Sequence, residues 1–289
     1  MSVSMVCLRN DDIHARVPAR TLYELDSHVW GNRPVTLGAI PLVGWDCFRR
    51  DLFEFEEDVP RRSLWEASEV MDYLDDGVRT GRVEVALHGM DHTDLSVAGR
   101  VTAELEAPSP QRTALLWRFL RVLGEKFGTR TVIPPHNFMS DELADSCLTN
   151  GYHLSRSIPD WLIADLGLDT SRKAARNEAK RRAPFRVVGS AVDLYQTLMI
   201  SRRRIERQKL SAVSLADEIV ATTASSGIAT ITFHWWDYYD PGLVLSESFC
   251  DFTRELLANV ERRLSPRYCT ISQAAEEILS TAARCTVSS

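Results

Sequence analysis

The sequence of 289 residues has no run of about 18 apolar residues, so nothing in it reads as a membrane-spanning helix. Its first ten residues, MSVSMVCLRN, lack the basic start and the apolar core of roughly 7 to 15 residues that a secretory signal needs. They read as a strand, and a cytoplasmic location is the expectation. Six cysteines, at positions 7, 47, 147, 250, 269 and 285, form no Cys-x-x-Cys pair. That excludes a zinc ribbon and a dithiol redox motif, and leaves reduced thiols as the simplest reading. Glycine (14) and proline (12) are too few for a collagen-like or low-complexity chain, and no internal repeat is present. A strong basic excess is missing too: 34 basic against 40 acidic side chains give −6, which argues against a dedicated nucleic-acid binder. What remains is a globular chain, 44% hydrophobic, expected as one domain over residues 1–289.

Short apolar, β-branched runs alternate with segments of helical period, the pattern of a parallel α/β architecture, and their number favours a barrel. Strands are expected at Ser4 to Arg9, Val35 to Ile40, Val83 to Leu87, Thr131 to Ile133, Tyr152 to Ser157, Phe185 to Val188, Ala229 to Phe233 and Arg267 to Thr270. Apolar faces such as Leu115, Phe119 and Leu123, or Phe252, Leu256, Val260 and Leu264, mark helices between them. The last helix is expected to start at Ser272 as its N-cap. Residues 160–210 break the rhythm and read as a basic insertion or lid, or as a helix with a solvated basic side. Within them, residues 171–210 hold 12 basic and three acidic side chains, a local +9 against −15 for the rest.

In parallel α/β folds, chemistry collects at the carboxyl ends of strands, where the loops converge. There the sequence places Asn10-Asp11-Asp12, then His88-Gly89-Met90-Asp91-His92, then Pro134-Pro135-His136-Asn137, then His234-Trp235-Trp236-Asp237. Four of the seven histidines fall at these ends. His88 and His92 are four apart, so one helical turn would bring both imidazoles to a single ion. Adjacent Asp11 and Asp12 repel unless a cation, a metal or a shared proton compensates. An Asp/His/His set makes three ligands and leaves coordination positions open, which is the catalytic kind of site.

These residues resemble the NodB-like polysaccharide deacetylases, carbohydrate esterase family 4, as a divergent member. The likeness covers most of the chain. The Asp-Asp motif of that family matches Asp11-Asp12, its His-x-x-x-His motif matches His88 and His92, its proline wall matches Pro134-Pro135, and its late histidine matches His234. The resemblance implies a distorted (β/α) barrel. It also implies that Asp12, His88 and His92 hold a divalent metal, with Asp11 as general base and His234 as general acid. Zinc is the first choice of metal, with Co2+, Ni2+, Mn2+ and Fe2+ as the others. The implied activity is removal of an acetyl group from an N-acetylated sugar or glycoconjugate, an intracellular biosynthetic intermediate. O-acetyl ester hydrolysis, or a glycan-binding barrel without turnover, are the alternatives.

The sequence also departs from the family pattern. Ile13 stands where a glycine usually follows the Asp pair, and Ile133 where an arginine orients the base. Arg9 and Arg130 are candidates to replace that arginine, and Asp160 is the candidate for the acid that tunes the late histidine. Trp235 and Trp236, followed by Tyr238 and Tyr239, read either as a substrate wall or as packing at a barrel rim. His136 and Asn137 either line the pocket or hold a loop, while His14, His28 and His153 carry no motif. If the basic segment borders the mouth, its field would attract a phosphate-bearing sugar carrier or an anionic membrane surface.

Overall fold

A sheet of ten strands curls on itself, and the order of its strands determines which loops meet. The computed structural model describes residues 4–43, 61–93, 95–97 and 100–287, with backbone alone at 95–97, 100–101 and 285–287. Cys47 and the Cys285 side chain lie outside the described residues; Cys7, Cys147, Cys250 and Cys269 are free and buried.

The strands are β1 (Met5–Ile13), β2 (Val35–Ala39), β3 (Val83–Leu87), β4 (Thr131–Val132), β5 (His153–Arg156), β6 (Phe185–Val188), β7 (Ala191–Tyr195), β8 (Leu198–Met199), β9 (Ile228–His234) and β10 (Arg267–Cys269). They lie in the order β6-β7-β5-β4-β3-β2-β1-β9-β8, and β10 joins the first half of β1. Every pairing in this sheet is parallel except the β6–β7 hairpin. The eight expected strands are therefore present. β7 and β8 were not expected, because Asp193 and the polar pair Gln196-Thr197 interrupt their apolar pattern. They matter for closure: Gln196 N–H donates to Arg156 O on β5 (2.8 Å), and the next residue, Thr197, donates to Thr230 O on β9 (2.9 Å). One continuous segment thus leaves one wall of the sheet and joins the other. Residues 160–210, read as a basic insertion or lid, supply these strands as well as helices α5 (Asp160–Asp165), α6 (Lys173–Arg182) and α7 (Arg202–Gln208), whose labels follow chain order.

The alternation of β1 sorts its neighbours into two layers, as the period of two in a strand requires. Val6 and Leu8 face the main core with the outer helices, among them α3 (Pro110–Phe127) and α9 (Glu247–Leu264), while Met5 and Cys7 face a second cluster. That second cluster is closed by Ile271, Ala274, Ala275 and Ile278 of α10 (Ile271–Val287). The start of α10 corrects the expected cap. Thr270 Oγ1 accepts from Gln273 N–H (3.3 Å) and Gln273 Oε1 from Thr270 N–H (3.0 Å), a reciprocal box of the kind that satisfies the first helical amides. Ser272 instead donates its hydroxyl to the Glu84 carboxylate on the inner face of β3. With α10 occupying the amino ends of the strands, the polar loops gather at their carboxyl ends. Among the described residues no helix is long and apolar enough to cross a membrane.

Much of the local positive charge of residues 171–210 is neutralised in place. Arg172 pairs with Asp169, Arg176 with Asp160, Arg181 and Arg182 with Glu178, Arg186 with Asp145, and Arg202 with Asp240. All of these partners are surface carboxylates.

Candidate metal centre

The Asp pair sits on a break in the ladder between β1 and β2. Asn10 pairs with Leu37 and Ile13 with Ala39, so three steps on one strand oppose two on the other. Such a bulge re-aims side chains, and here Asp12 takes the left-handed backbone (φ 67°). The strand runs on to Ile13, so the missing glycine is compensated by a bulge in which Asp12 itself bears the positive φ. His92, His136 and Asn137 share this conformation, at φ 54°, 54° and 64°. Four non-glycine residues held this way around one mouth is the kind of strain that persists where function requires it.

Three ligand atoms converge there: one each from Asp12, His88 and His92, all within 4.8 Å of one another and all from buried residues. His88 Nδ1 lies 3.0 Å from Ile133 O. A carbonyl has no proton, so Nδ1–H donates and Nε2 is turned toward Asp12 Oδ1, 3.2 Å away. His92 Nε2 lies 3.6 Å from the same oxygen. The other Asp12 oxygen, Oδ2, accepts from Trp236 Nε1–H (2.9 Å), and Trp235 Nε1–H donates to the Asp12 backbone oxygen (2.8 Å). The carboxylate is thereby aimed at the imidazoles. Two imidazole nitrogens facing one carboxylate oxygen call for positive charge at that point, a proton on His88 or a cation, and a donor set of two imidazoles and a carboxylate fits a divalent ion.

The titration of these groups reflects a site that favours positive charge. Burial opposes ionisation of Asp12, but the His88 hydrogen bond and the fields of His92 and His234 hold its pKa well below the ordinary carboxylate range. Burial also opposes charge on His88, yet Asp11 and Asp12 outweigh it and raise its pKa. His92 is pushed down to about 4 by burial, against the pull of Asp12. It is therefore a neutral imidazole, the form that binds metal.

The sequence expectation of one helical turn through His88 and His92 is corrected. Residues 88–93 are a loop, with Gly89 at φ 69°, folded over a buried carboxylate that sequence reasoning missed, that of Glu104. A Cβ on Gly89 would meet Glu104 Oε1 at 1.9 Å and Pro135 Cγ at 2.5 Å, so the turn and the proline wall both require glycine.

Asp11 is gripped by Arg9 from the same strand. Arg9 Nε donates to Asp11 Oδ1 at 2.8 Å and Oδ2 at 3.0 Å, and its outer nitrogens reach Asn137 Oδ1 (2.7 Å) and Ser155 O (3.1 Å). Burial raises the Asp11 pKa, and the Arg9 charge outweighs it, so the carboxyl is ionised below its ordinary range. Of the two arginines considered, Arg9 is the one on the Asp carboxylate; Arg130 is exposed. His234 lies beside Asp11 in the β1–β9 register and stacks on Trp236 with ring centres 4.8 Å apart. Burial lowers its pKa against the fields of Asp12 and Asp11.

Asp160 is corrected as the tuning acid: it is exposed on α5 and pairs with Arg176. A further carboxylate near His234 is Asp237, with Oδ2 3.8 Å from Nδ1 and Oδ1 accepting from Arg202 N–H. It stands three residues after the histidine, a local signal that the sequence reading passed over. Trp235 is fully buried and has no face to offer a ligand, unlike Trp236. Pro134 and Pro135 are buried, Asn137 holds Arg9, and His136 is exposed with its ring 4.9 Å from that of His92. His14, read as ordinary, is buried near Asp12, and burial pushes its pKa down to about 4.

No protein-family model matches this chain, and no curated protein does. Among solved structures, the Bc1960 peptidoglycan N-acetylglucosamine deacetylase matches with a TM-score of 0.50 at 11% identity, over 94% of this chain and 87% of that one. The fold is that of the NodB-like deacetylases. Two further matches lie lower. The CE4 family pseudoenzyme BA3943 from Bacillus anthracis has a TM-score of 0.46 at 11% identity, over 94% of this chain and 66% of that one. The catalytic domain of a peptidoglycan N-acetylglucosamine deacetylase from Eubacterium rectale has 0.43 at 11%, over 93% and 89%. The curled (β/α) barrel expected from the sequence is thus the fold found.

Proposed function

We propose that this protein is a metal-dependent deacetylase that cleaves the acetamide of an N-acetylated amino sugar or glycoconjugate. One observation carries the reading: Asp12, His88 and His92 converge at the barrel mouth, with Arg9-clamped Asp11 and His234 side by side on adjacent strands. Asp12, His88 and His92 would hold the ion, zinc by preference because two imidazoles and a carboxylate suit it. When bound, it polarises the substrate carbonyl and makes water a better nucleophile at neutral pH.

The remaining steps belong to side chains. Asp11, ionised and pinned by Arg9, takes the proton of the attacking water. His234 donates a proton to the departing nitrogen, because an amine leaves poorly as an anion. Trp236, stacked on His234, orients that imidazole and keeps Asp12 aimed. Asn137 and Ser155 fix the guanidinium of Arg9. The exposed His136 and the open part of Trp236 would meet the sugar.

The test is acetate release from N-acetylglucosamine and its oligomers by chelator-stripped protein with and without added Zn2+, Co2+ or Mn2+. The reading predicts release that depends on the added metal and is lost in Asp11→Asn. Release from O-acetyl esters alone would reassign the bond cleaved. Metal binding without hydrolysis of any acetylated amine or ester would leave a glycan-binding barrel.

A further inference from the structure

The loop that carries His88 and His92 is held by a carboxylate on a different segment. Glu104 is fully buried, and its Oε1 accepts from the backbone N–H of Met90 (2.8 Å) and of His92 (3.0 Å). Its Oε2 accepts from Arg112 at 2.9 Å on α3 and lies 3.4 Å from Asp91 N. Three consecutive amides therefore turn toward one carboxylate, a backbone nest of the kind that otherwise receives a bound anion. Arg112 also pairs with Asp91, whose carboxylate caps Thr93 N–H (3.1 Å) and lies 3.3 Å from Arg61. The loop is thus wrapped round a charge network that contains neither histidine side chain.

Two backbone features fit this arrangement. Gly89 at φ 69° lets the chain pass over Glu104 with no room for a Cβ, and His92 at φ 54° is turned so that its amide points down to Glu104. With the amide pointing down, the imidazole reaches back to Asp12 Oδ1.

We propose that Glu104 is a positioning residue for the metal centre: by binding the amides of Met90 and His92 it sets the left-handed turn that brings His92 to Asp12 and His88. This rests on the metal reading above. A purely structural carboxylate would affect stability alone, whereas this one also sets ligand geometry in the folded protein. Residues that orient metal ligands typically alter affinity by about 10- to 100-fold.

The experiment is calorimetric titration of chelator-stripped, folded protein with Zn2+, together with thermal melting of each metal-free variant. Glu104→Gln keeps the shape and loses the charge, Glu104→Ala loses both, and Arg112→Met removes the counter-charge from outside the nest. The inference predicts zinc affinity about 10-fold weaker for Glu104→Gln, weaker still for Glu104→Ala, and intermediate for Arg112→Met. Should Glu104→Ala fail to fold, the other two variants decide. Zinc affinities equal to wild type in folded Glu104→Gln and Arg112→Met would overturn the inference while leaving the metal site intact. Absence of binding by the wild type would overturn the metal reading itself, and the inference with it.

Discussion

Arg9 and Asp11 lie two residues apart on one strand and form a buried, two-pronged ion pair, with Nε on both carboxylate oxygens at 2.8 and 3.0 Å. Both side chains point into the barrel, because i and i+2 share a face. In the proposed reading, the arginine that orients the base therefore comes from the same strand as the base, one pleat below it.

Arg9→Lys tests this pair. Lysine keeps a charge but cannot span both oxygens and also reach Asn137 and Ser155. The expected result is a loss of turnover of about 100-fold, in the range of a misplaced acid or base. Zinc affinity stays within a few-fold of wild type, since Arg9 touches no ligand. Arg9→Met leaves a buried carboxylate unpaired, which costs about 3 to 5 kcal/mol, read as a large fall in melting temperature.

Gly38 gives a second handle on Asp11. A Cβ there would lie 2.8 Å from Asp11 Oδ1 and 3.2 Å from the His88 Cβ. Gly38→Ala is expected to cost about 1 to 3 kcal/mol and to lower kcat more than it raises KM. Steady-state kinetics and thermal melting measure both, and unchanged kcat would mean that Asp11 is not the base.

The barrel was legible in the sequence because its strands are continuous apolar runs at the spacing of α/β units, and the parallel core makes them so. Asp11, Asp12, His88, His92 and His234 stood out because a polar cluster at the end of an apolar strand needs a reason. The partners of these residues were harder to see. Glu104 is twelve residues past His92, with no motif around it, and it acts on backbone amides that any sequence possesses. Asp160 and Arg130 were candidates by residue type alone, and only the folded chain shows that they face solvent. The β7–β8 segment was hidden because Asp193 is buried against Arg156, a pairing that makes a polar residue acceptable in a sheet.

The pH profile follows from the two carriers. The base must be ionised, and Asp11 titrates below the ordinary carboxylate value, so the base itself imposes no acid limb near neutral pH. The acid must be protonated, and burial lowers the His234 pKa, so kcat/KM falls as pH rises through a value below 6.5. A bound dication shifts both in the same downward direction. A pH–rate profile with its alkaline limb above 7 would contradict this assignment of His234.

Lys180 on α6 offers a prediction about stability alone. Burial pushes its ammonium down to about 8, against the pull of Glu218, and its Nζ lies 3.4 Å from Thr197 O. Between about pH 8 and 10.5 the unfolded chain holds a proton that the folded one has lost, so stability rises with pH across that window. Below it the cost is fully present. Lys180→Met is expected to raise the melting temperature at pH 7 by about 2 to 4 °C. The advantage shrinks as the pH approaches 10. A variant less stable than wild type at pH 7 would show that the ammonium is better compensated than its surroundings indicate.

The central claim is that Asp12, His88 and His92 bind one metal ion, and anomalous diffraction from zinc-soaked crystals tests it most directly. The account predicts a single strong peak at the barrel mouth, about 2.0 to 2.2 Å from Asp12 Oδ1, His88 Nε2 and His92 Nε2. That peak should be absent in His92→Ala. A peak bound by other residues, or none at a zinc concentration that saturates solution binding, would contradict it.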